Sequence, residues 1–417
     1  MHKACKILDG IRVLDFGSFM AGPAAAEFLG FLGAEVIKVE HPMRPDGTRY
    51  FLTSPTQLQP DPRCTASQTY DLNNYGKLDV SIDYSIPEGA EVLWGLIEKT
   101  DIFIQNMSVG AMAKYGFGYE EVAKHKPDII YLSSSACGDS GPEVRYVGYA
   151  GNFATKAGLG ATTGYPGSPP SVFVGSIDLR STTNAVVSIL SALLYKKKTG
   201  EGQLIEIASQ EALASQLGDI YLDYIVNGNS QGPMANTRPG YAPQGAYRTT
   251  GKDQWVAISV ENDKQWQALC KAMGKPELAG DARFATYKDR FSHIEELDAI
   301  ITEWTSTLDK MDAFKVLQDA GVPAGPVYDG EGLYKDPDRI ARRSFYMIDS
   351  RDLGQECMMT PPWRYEKTPI DVEDAAPYLG EHTTQVLKKL LGKSDKELKE
   401  LADKHAIRRL LDYDTHL

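Results

Sequence analysis

Ile11-Arg12-Val13-Leu14-Asp15-Phe16 reads as a short, mostly buried strand, and Glu35-Val36-Ile37-Lys38-Val39-Glu40 reads as a second. Between them Gly17 to Gly22 is a turn, Pro23 suits the first position of a helix, and Ala24 to Leu32 is rich in Ala and Leu until Gly33 stops it. Strand, helix and strand within about thirty residues form a βαβ unit, the first half of a doubly wound parallel sheet. The turn reads Gly17-Ser18-Phe19-Met20-Ala21-Gly22 and lacks the G-x-G-x-x-G fingerprint, which disfavours a nicotinamide dehydrogenase.

Moving outward, the alternation continues. Strands are expected at Lys77 to Tyr84, Asp101 to Asn106, Asp128 to Leu132 and Gln203 to Ala208. Helices are expected at Glu88 to Lys99, Tyr119 to His125, Thr183 to Lys198 and, as one long element, Gln210 to Val226. This order points to an α/β fold with a parallel sheet. His41 to Tyr70 is irregular and carries five prolines; a loop that long is usually functional. The character changes near residue 230. A hairpin at Ala246 to Val260 and helices at Asp263 to Met273, Ile294 to Leu308 and Met311 to Ala320 suggest a smaller α+β domain. The expected organisation is 1–229 for the first part of a large domain, 230–330 for the small one, and 331–417 for a return to the large domain with a charged helical tail.

The bulk composition limits the function classes. The chain has 417 residues, 42% hydrophobic and 24% charged, which is a globular composition long enough for more than one core. A net charge of −12 argues against a nucleic-acid partner and against docking on an acidic membrane. No apolar run approaches membrane-spanning length, and Met1 to Lys6 shows no signal-peptide block. Cys5, Cys64, Cys137, Cys270 and Cys357 are odd in number and scattered, with no C-x-x-C pair, and the seven histidines show no H-x-x-x-H or H-E-x-x-H pairing. Neither disulfide framework nor metal site is expected, and a reducing cytoplasm is the expected location.

One carboxylate stands out. Val174-Gly175-Ser176-Ile177-Asp178-Leu179-Arg180-Ser181-Thr182 ends a glycine-rich stretch, with Gly148, Gly151, Gly158, Gly160, Gly164 and Gly167, and opens an apolar helix. Asp178 suits a helix N-cap, because its oxygen can accept from a free N–H of the first turn. It equally suits a covalent nucleophile, since the helix dipole keeps such a carboxylate ionised.

Several blocks together resemble the class III (CaiB/BaiF-type) coenzyme A transferases. Leu8 to Phe16, Ala21-Gly22-Pro23 and Gly30 to Glu40 are similar to the family's first strand, helix and second strand. Asn74-Tyr75-Gly76-Lys77 resembles its N-x-x-K block, Thr199-Gly200-Glu201-Gly202-Gln203 its T-G-x-G-Q turn, Gly321 to Val327 its G-[VI]-P-x-G-P-V segment, and Leu379-Gly380-Glu381-His382-Thr383 its L-G-E-H-T tail. The resemblance spans about residues 8 to 395. It implies a Rossmann-like large domain built from both chain ends, a small α+β domain, and an interlocked dimer. It implies no permanently bound cofactor, with coenzyme A thioesters as substrates. Asp178 aligns with the family's nucleophilic aspartate.

For coenzyme A contacts the resemblance implies Met20 and Ala21 beside the pantetheine arm and thioester, His41 at the adenosine phosphate, Ile82 and Asp83 near the adenine, Asn106 and Met107 on another contact strand, Lys114 where an arginine is usual, and Tyr149 beside the thioester. Three positions depart from the pattern. Met20 replaces a frequent glutamine, Ala150 an acidic residue, and Thr182 a glycine. The acyl pocket is therefore expected to be apolar near Phe19 and Met20, which disfavours formate or oxalate. Succinyl-CoA as donor and a larger acid such as benzylsuccinate as acceptor are the expectation, since the chain resembles subunits of benzylsuccinate CoA-transferases, some of which pair two related subunits. Two alternatives are a silent partner subunit and an α-methylacyl-CoA racemase. The racemase histidine aligns with Tyr149, a poor base near neutral pH.

Overall fold

The computed structural model describes residues 6–50, 67–173, 176–350, 354–359, 361–370 and 374–413. Val174, Gly175, Cys5, Cys64 and the middle of the proline-rich 41–70 stretch lie outside them. The chain divides into two compact units, one of Met1–Gly160, Ser171–Asn229 and Arg342–Leu417, the other of Ala161–Pro170 and Ser230–Ala341.

The larger unit is built on a seven-stranded sheet. Its strands are β1 (Arg12–Asp15), β2 (Glu35–Glu40), β3 (Leu78–Ile82), β4 (Ile102–Gln105), β5 (Ile130–Ser135), β6 (Gln203–Ala208) and, from the chain's end, Ile407–Arg408; the spatial order is Ile407–Arg408, β3, β2, β1, β4, β5, β6. β1 to β6 run parallel, with Val13 opposite Val36 and Ile102, and the C-terminal strand pairs antiparallel to β3. Side chains alternate across the pleat. Leu14, Ile37, Val39, Val80, Ile82 and Phe103 pack on one face under the Pro87–Glu98 helix and the C-terminal helices. Val13, Val36, Ile102, Ile104, Ile130 and Leu132 pack on the other, under the Ala21–Phe31 and Ser176–Thr199 helices. This is the doubly wound α/β arrangement that the βαβ pattern predicts.

The smaller unit carries a three-stranded antiparallel sheet, Gln244–Arg248, Trp255–Ser259 and Ala324–Pro326. Its core gathers Val256, Ile258, Trp266, Leu269, Phe284, Leu297, Ile301 and Leu317 around helices Asp263–Ala272, Ile294–Thr305 and Lys310–Asp319.

Two local expectations are corrected and one helix is added. The segment read as one helix from Gln210 to Val226 is two, Ser209–Ala214 and Gly218–Asn227. The N–H of Leu217 bonds Ala214 O and that of Gln216 bonds Leu213 O, closing a tight turn between them. The glycine-rich stretch contains the helix Ala150–Lys156. Pro23 is the third residue of a helix that begins at Ala21, where a missing N–H still costs no intrahelical bond.

Candidate active site

The site rests on charges buried around the carboxyl end of β1, drawn from the second half of β2 and the start of β3. Asp15, Lys38, Glu40, Lys77 and Asp79 are all buried there. Lys77 Nζ donates to Asp15 Oδ2 at 2.7 Å, Asn74 Oδ1 at 2.9 Å and Pro23 O at 2.8 Å. The N-x-x-K block is thus a bracket that fixes the first turn of the Ala21–Phe31 helix. Arg49 holds Glu40 through Nη2 at 2.6 Å and donates to Pro377 O at 3.1 Å. Burial drives both Glu40 and Asp79 toward the neutral form. The Arg49 charge overrides this at Glu40 and holds its pKa low, whereas the Asp79 pKa, with the Glu40 charge beside it, is pushed well up. The L-G-E-H-T tail docks on the same residue, since Gly380 N donates to Asp79 Oδ1 at 2.6 Å and His382 N to Asp79 O at 2.9 Å.

This base holds the Gly17–Met20 turn. Gly17 N donates to Asp15 Oδ1 at 2.7 Å, and Gly17 O accepts from Lys38 Nζ at 2.9 Å. A Cβ at Gly17 would lie 2.5 Å from Pro23 Cδ, so only glycine fits. Asn106 clamps the next residue in both directions. Its Oδ1 accepts from Ser18 N at 2.8 Å, and its Nδ2 donates to Ser18 O at 2.9 Å. Phe19 follows at φ +64°. Its ring lies 6.2 Å from that of Tyr149, and the two are 40% and 74% exposed. Met20 then precedes the helix without a side-chain cap, so the first N–H groups and the positive dipole end are available to an anion.

Asp178 lies in the first turn of the Ser176–Thr199 helix, two residues inside it, and so is not the N-cap. Among the described residues its carboxylate has no hydrogen bond and no ion pair. It is half-buried, and burial raises its pKa. One turn on, and so on the same helix face, Thr182 Oγ1 donates to Ala21 O at 3.2 Å. That contact ties the Asp178 face to the start of the other helix. Ser181 Oγ donates to Ile177 O at 2.8 Å and bonds Ser209 Oγ at 2.8 Å, which anchors the other flank of that face.

The remaining predicted residues form a second group. His41 Nε2 lies 3.1 Å from Asp83 Oδ1, while its Nδ1 accepts from Met43 N at 3.1 Å. An accepting Nδ1 carries no proton, and burial together with the Arg44 charge lowers the His41 pKa against the pull of Asp83. In this geometry His41 is therefore a neutral anchor for Asp83. Ile82 is fully buried in the core, so only its neighbour Asp83 faces outward from that strand end. Met107 is half-buried, and its N–H donates to Gln105 Oε1 at 2.9 Å. Lys114 is exposed and ends the one-turn helix Ala111–Lys114. The sequence reading missed Arg44, an exposed guanidinium whose Nη2 donates to Tyr115 OH at 3.1 Å beside Lys114. Its signal was a cation three residues after His41. Thr182 was noted only as a departure, because a hydroxyl's partner is invisible in sequence.

Comparison with known proteins follows this geometry. A family model described as CoA-transferase family III matches residues 8–383. The chain is 32% identical over 402 residues to succinyl-CoA–D-citramalate CoA-transferase of Chloroflexus aurantiacus, covering 96% of this chain and 98% of that one. It is also 32% identical to the succinyl-CoA–L-malate CoA-transferase beta subunit of the same organism, over 96% of this chain and 98% of that protein. A solved CAIB/BAIF family protein from Brucella suis superposes with a TM-score of 0.83 at 30% identity, covering 92% of this chain and 99% of the other.

Proposed function

The chain belongs to CoA-transferase family III, and from that premise we propose that it moves coenzyme A between an acyl-CoA donor and a carboxylic acid with Asp178 as covalent nucleophile. The single observation that carries this is the half-buried Asp178 carboxylate without a hydrogen bond or ion pair among the described residues, held on the helix face that touches Ala21. A purely structural carboxylate in such a place would be paired, because a buried unpaired charge is costly. A desolvated, unpaired carboxylate is a reactive one.

The steps balance without a net proton. The Asp178 carboxylate attacks the donor thioester carbonyl, the C–S bond breaks, and coenzyme A leaves as thiolate. A mixed acyl–aspartyl anhydride remains. The thiolate attacks the aspartyl carbonyl, the donor acid departs as carboxylate, and an aspartyl-CoA thioester forms. The acceptor carboxylate attacks that thioester and expels thiolate, giving a second anhydride. The thiolate then takes the new acyl group and frees Asp178. The uncapped start of the Ala21–Phe31 helix stabilises the oxyanions.

Met20, Ala21, Asn106, Met107 and Tyr149 serve the acyl and pantetheine end. His41, Asp83, Lys114 and Arg44 serve the nucleotide end, with Arg44 supplying the charge that neutral His41 lacks. Succinyl-CoA is the proposed donor, in line with the printed names of the Chloroflexus relatives. The exposed Phe19 and Tyr149 rings support a larger acceptor with an apolar or aromatic body, benzylsuccinate being one. The chain works as a cytoplasmic dimer with itself or with a related subunit. The Gly218–Asn227 helix supports the assembly, for it buries no residue and leaves Leu222, Ile225 and Val226 exposed. Among the described residues no helix is long and apolar enough to cross a membrane.

Hydroxylamine added with succinyl-CoA tests the mechanism. Asp178 is expected to become a hydroxamate detectable by peptide mass spectrometry, and Asp178→Asn is expected to lose transfer while still binding coenzyme A. An adduct on another residue, or transfer surviving in Asp178→Asn, overturns the proposal.

A further inference from the structure

Phe19 is the strained residue of the site. A bulky side chain at φ +64° sits in the left-handed region that L residues avoid. Such an outlier persists only where its surroundings over-determine it. The surroundings converge on one residue remote from Asp178 in sequence. Asp46 is buried, and its Oδ1 accepts from Phe19 N at 3.1 Å, from Ser18 Oγ at 3.2 Å, and from Thr48 N and Oγ1 at 3.0 and 2.8 Å. Its Oδ2 accepts from Lys38 Nζ at 3.0 Å, the same ammonium that holds Gly17 O. Its own N–H donates to Glu40 Oε1 at 2.6 Å. The Phe19 ring has its place prepared, for a Cβ at Gly47 would lie 3.0 Å from Phe19 Cζ. The ring thus packs directly over Gly47 with Tyr149 beside it.

We propose that Asp46 is a positioning residue, whose Oδ1 locks Phe19 in the left-handed conformation and so sets the wall of the acyl site and the entry of Met20 into the helix. This rests on the transferase reading above. The two oxygens divide the work. Oδ1 serves the loop, whereas Oδ2 serves the buried ion pair with Lys38. A merely structural Asp46 would act through the ion pair alone.

Three variants separate these roles. Asp46→Asn keeps an oxygen that can accept from Phe19 N but loses the ion pair. Asp46→Ala loses both. Phe19→Gly removes the strain, because glycine adopts positive φ freely. Asp46→Ala is expected to lower kcat/KM for succinyl-CoA roughly ten-fold, the order of an unsupported left-handed residue, mostly in kcat. Asp46→Asn is expected to stay within about three-fold of the unchanged enzyme although both variants melt earlier. In a Phe19→Gly background the Asp46→Ala loss is expected to shrink to about two-fold or less, as coupled residues are non-additive. Equal loss in Asp46→Asn and Asp46→Ala, or an undiminished loss in the Phe19→Gly background, overturns the proposal. Should Asp46→Ala not fold, Asp46→Asn decides. It must keep the Phe19 amide protected from hydrogen exchange and keep its transfer rate, and failure of either overturns the clamp. An unchanged enzyme that transfers to no acid refutes the transferase reading instead, and hydrogen exchange at Phe19 in Asp46→Asn and Asp46→Ala then judges the clamp alone.

Discussion

Glu27 offers a test of the buried foundation beneath the site. It lies in the Ala21–Phe31 helix, is 4% exposed, and among the described residues accepts one bond, from Tyr75 N at 2.9 Å. Burial raises its pKa from 4.5 to about 8, with the Lys77 charge and the Tyr75 bond opposing and the Asp15 charge assisting. Between those two values the folded chain holds a proton that the unfolded chain has released, so stability falls as pH rises through the window. Below 4.5 the group contributes no such loss. The slope is at most ~1.4 kcal/mol per pH unit, so the ceiling between about pH 5.5 and 7.5 is near 3 kcal/mol. Relaxation of a buried site reduces this to roughly half. Glu27→Gln retains a carbonyl oxygen for Tyr75 N and never ionises. Its stability relative to the unchanged chain should therefore climb by about 1–1.5 kcal/mol over that range, a melting difference growing by roughly 1–3 °C. Scanning both proteins at several pH values measures it. A melting difference that stays constant with pH, or shrinks as pH rises, refutes the reasoning.

Two further outcomes follow from the site. Burial raises the Asp178 pKa, and the nucleophile must be ionised, so transfer should be lost as pH falls through a value above the ordinary aspartate range; a kcat/KM profile whose acid limb sits at 3.8 or lower contradicts this. Arg44→Ala should raise KM for acyl-CoA about five- to ten-fold with little change in kcat, the effect fading at high salt because the side chain is exposed. An unchanged KM at low ionic strength removes Arg44 from the nucleotide end.

Much of the architecture was legible because a parallel sheet leaves a period in the chain. Val13, Val36 and Ile102 on one face and Leu14, Ile37 and Phe103 on the other are written as alternation within short apolar runs. The break at Ser215–Leu217 was not legible, since Gln210 to Val226 carries no proline and its only glycine, Gly218, is tolerated in a helix. The charged pairs were half legible. Lys38, Glu40 and Asp79 stand out as ionic residues within apolar strands, yet nothing local says that Lys38 meets Asp46 while Lys77 meets Asp15.

By itself the sequence determined the βαβ start, the parallel alternation and the placing of a carboxylate at the head of an apolar helix. Periodicity and helix chemistry are properties of neighbours along the chain, so they survive in one dimension. Only the tertiary structure decided that Asp178 has no partner among the described residues, that Thr182 on its helix face meets Ala21, that His41 is neutral, that Arg44 meets Tyr115, and that Asp46 holds Phe19. Those facts depend on burial and on partners brought together from distant segments, such as Thr182 with Ala21 or Asn106 with Ser18. Desolvation and hydrogen-bond geometry arise only once the sheet and its helices have closed around them.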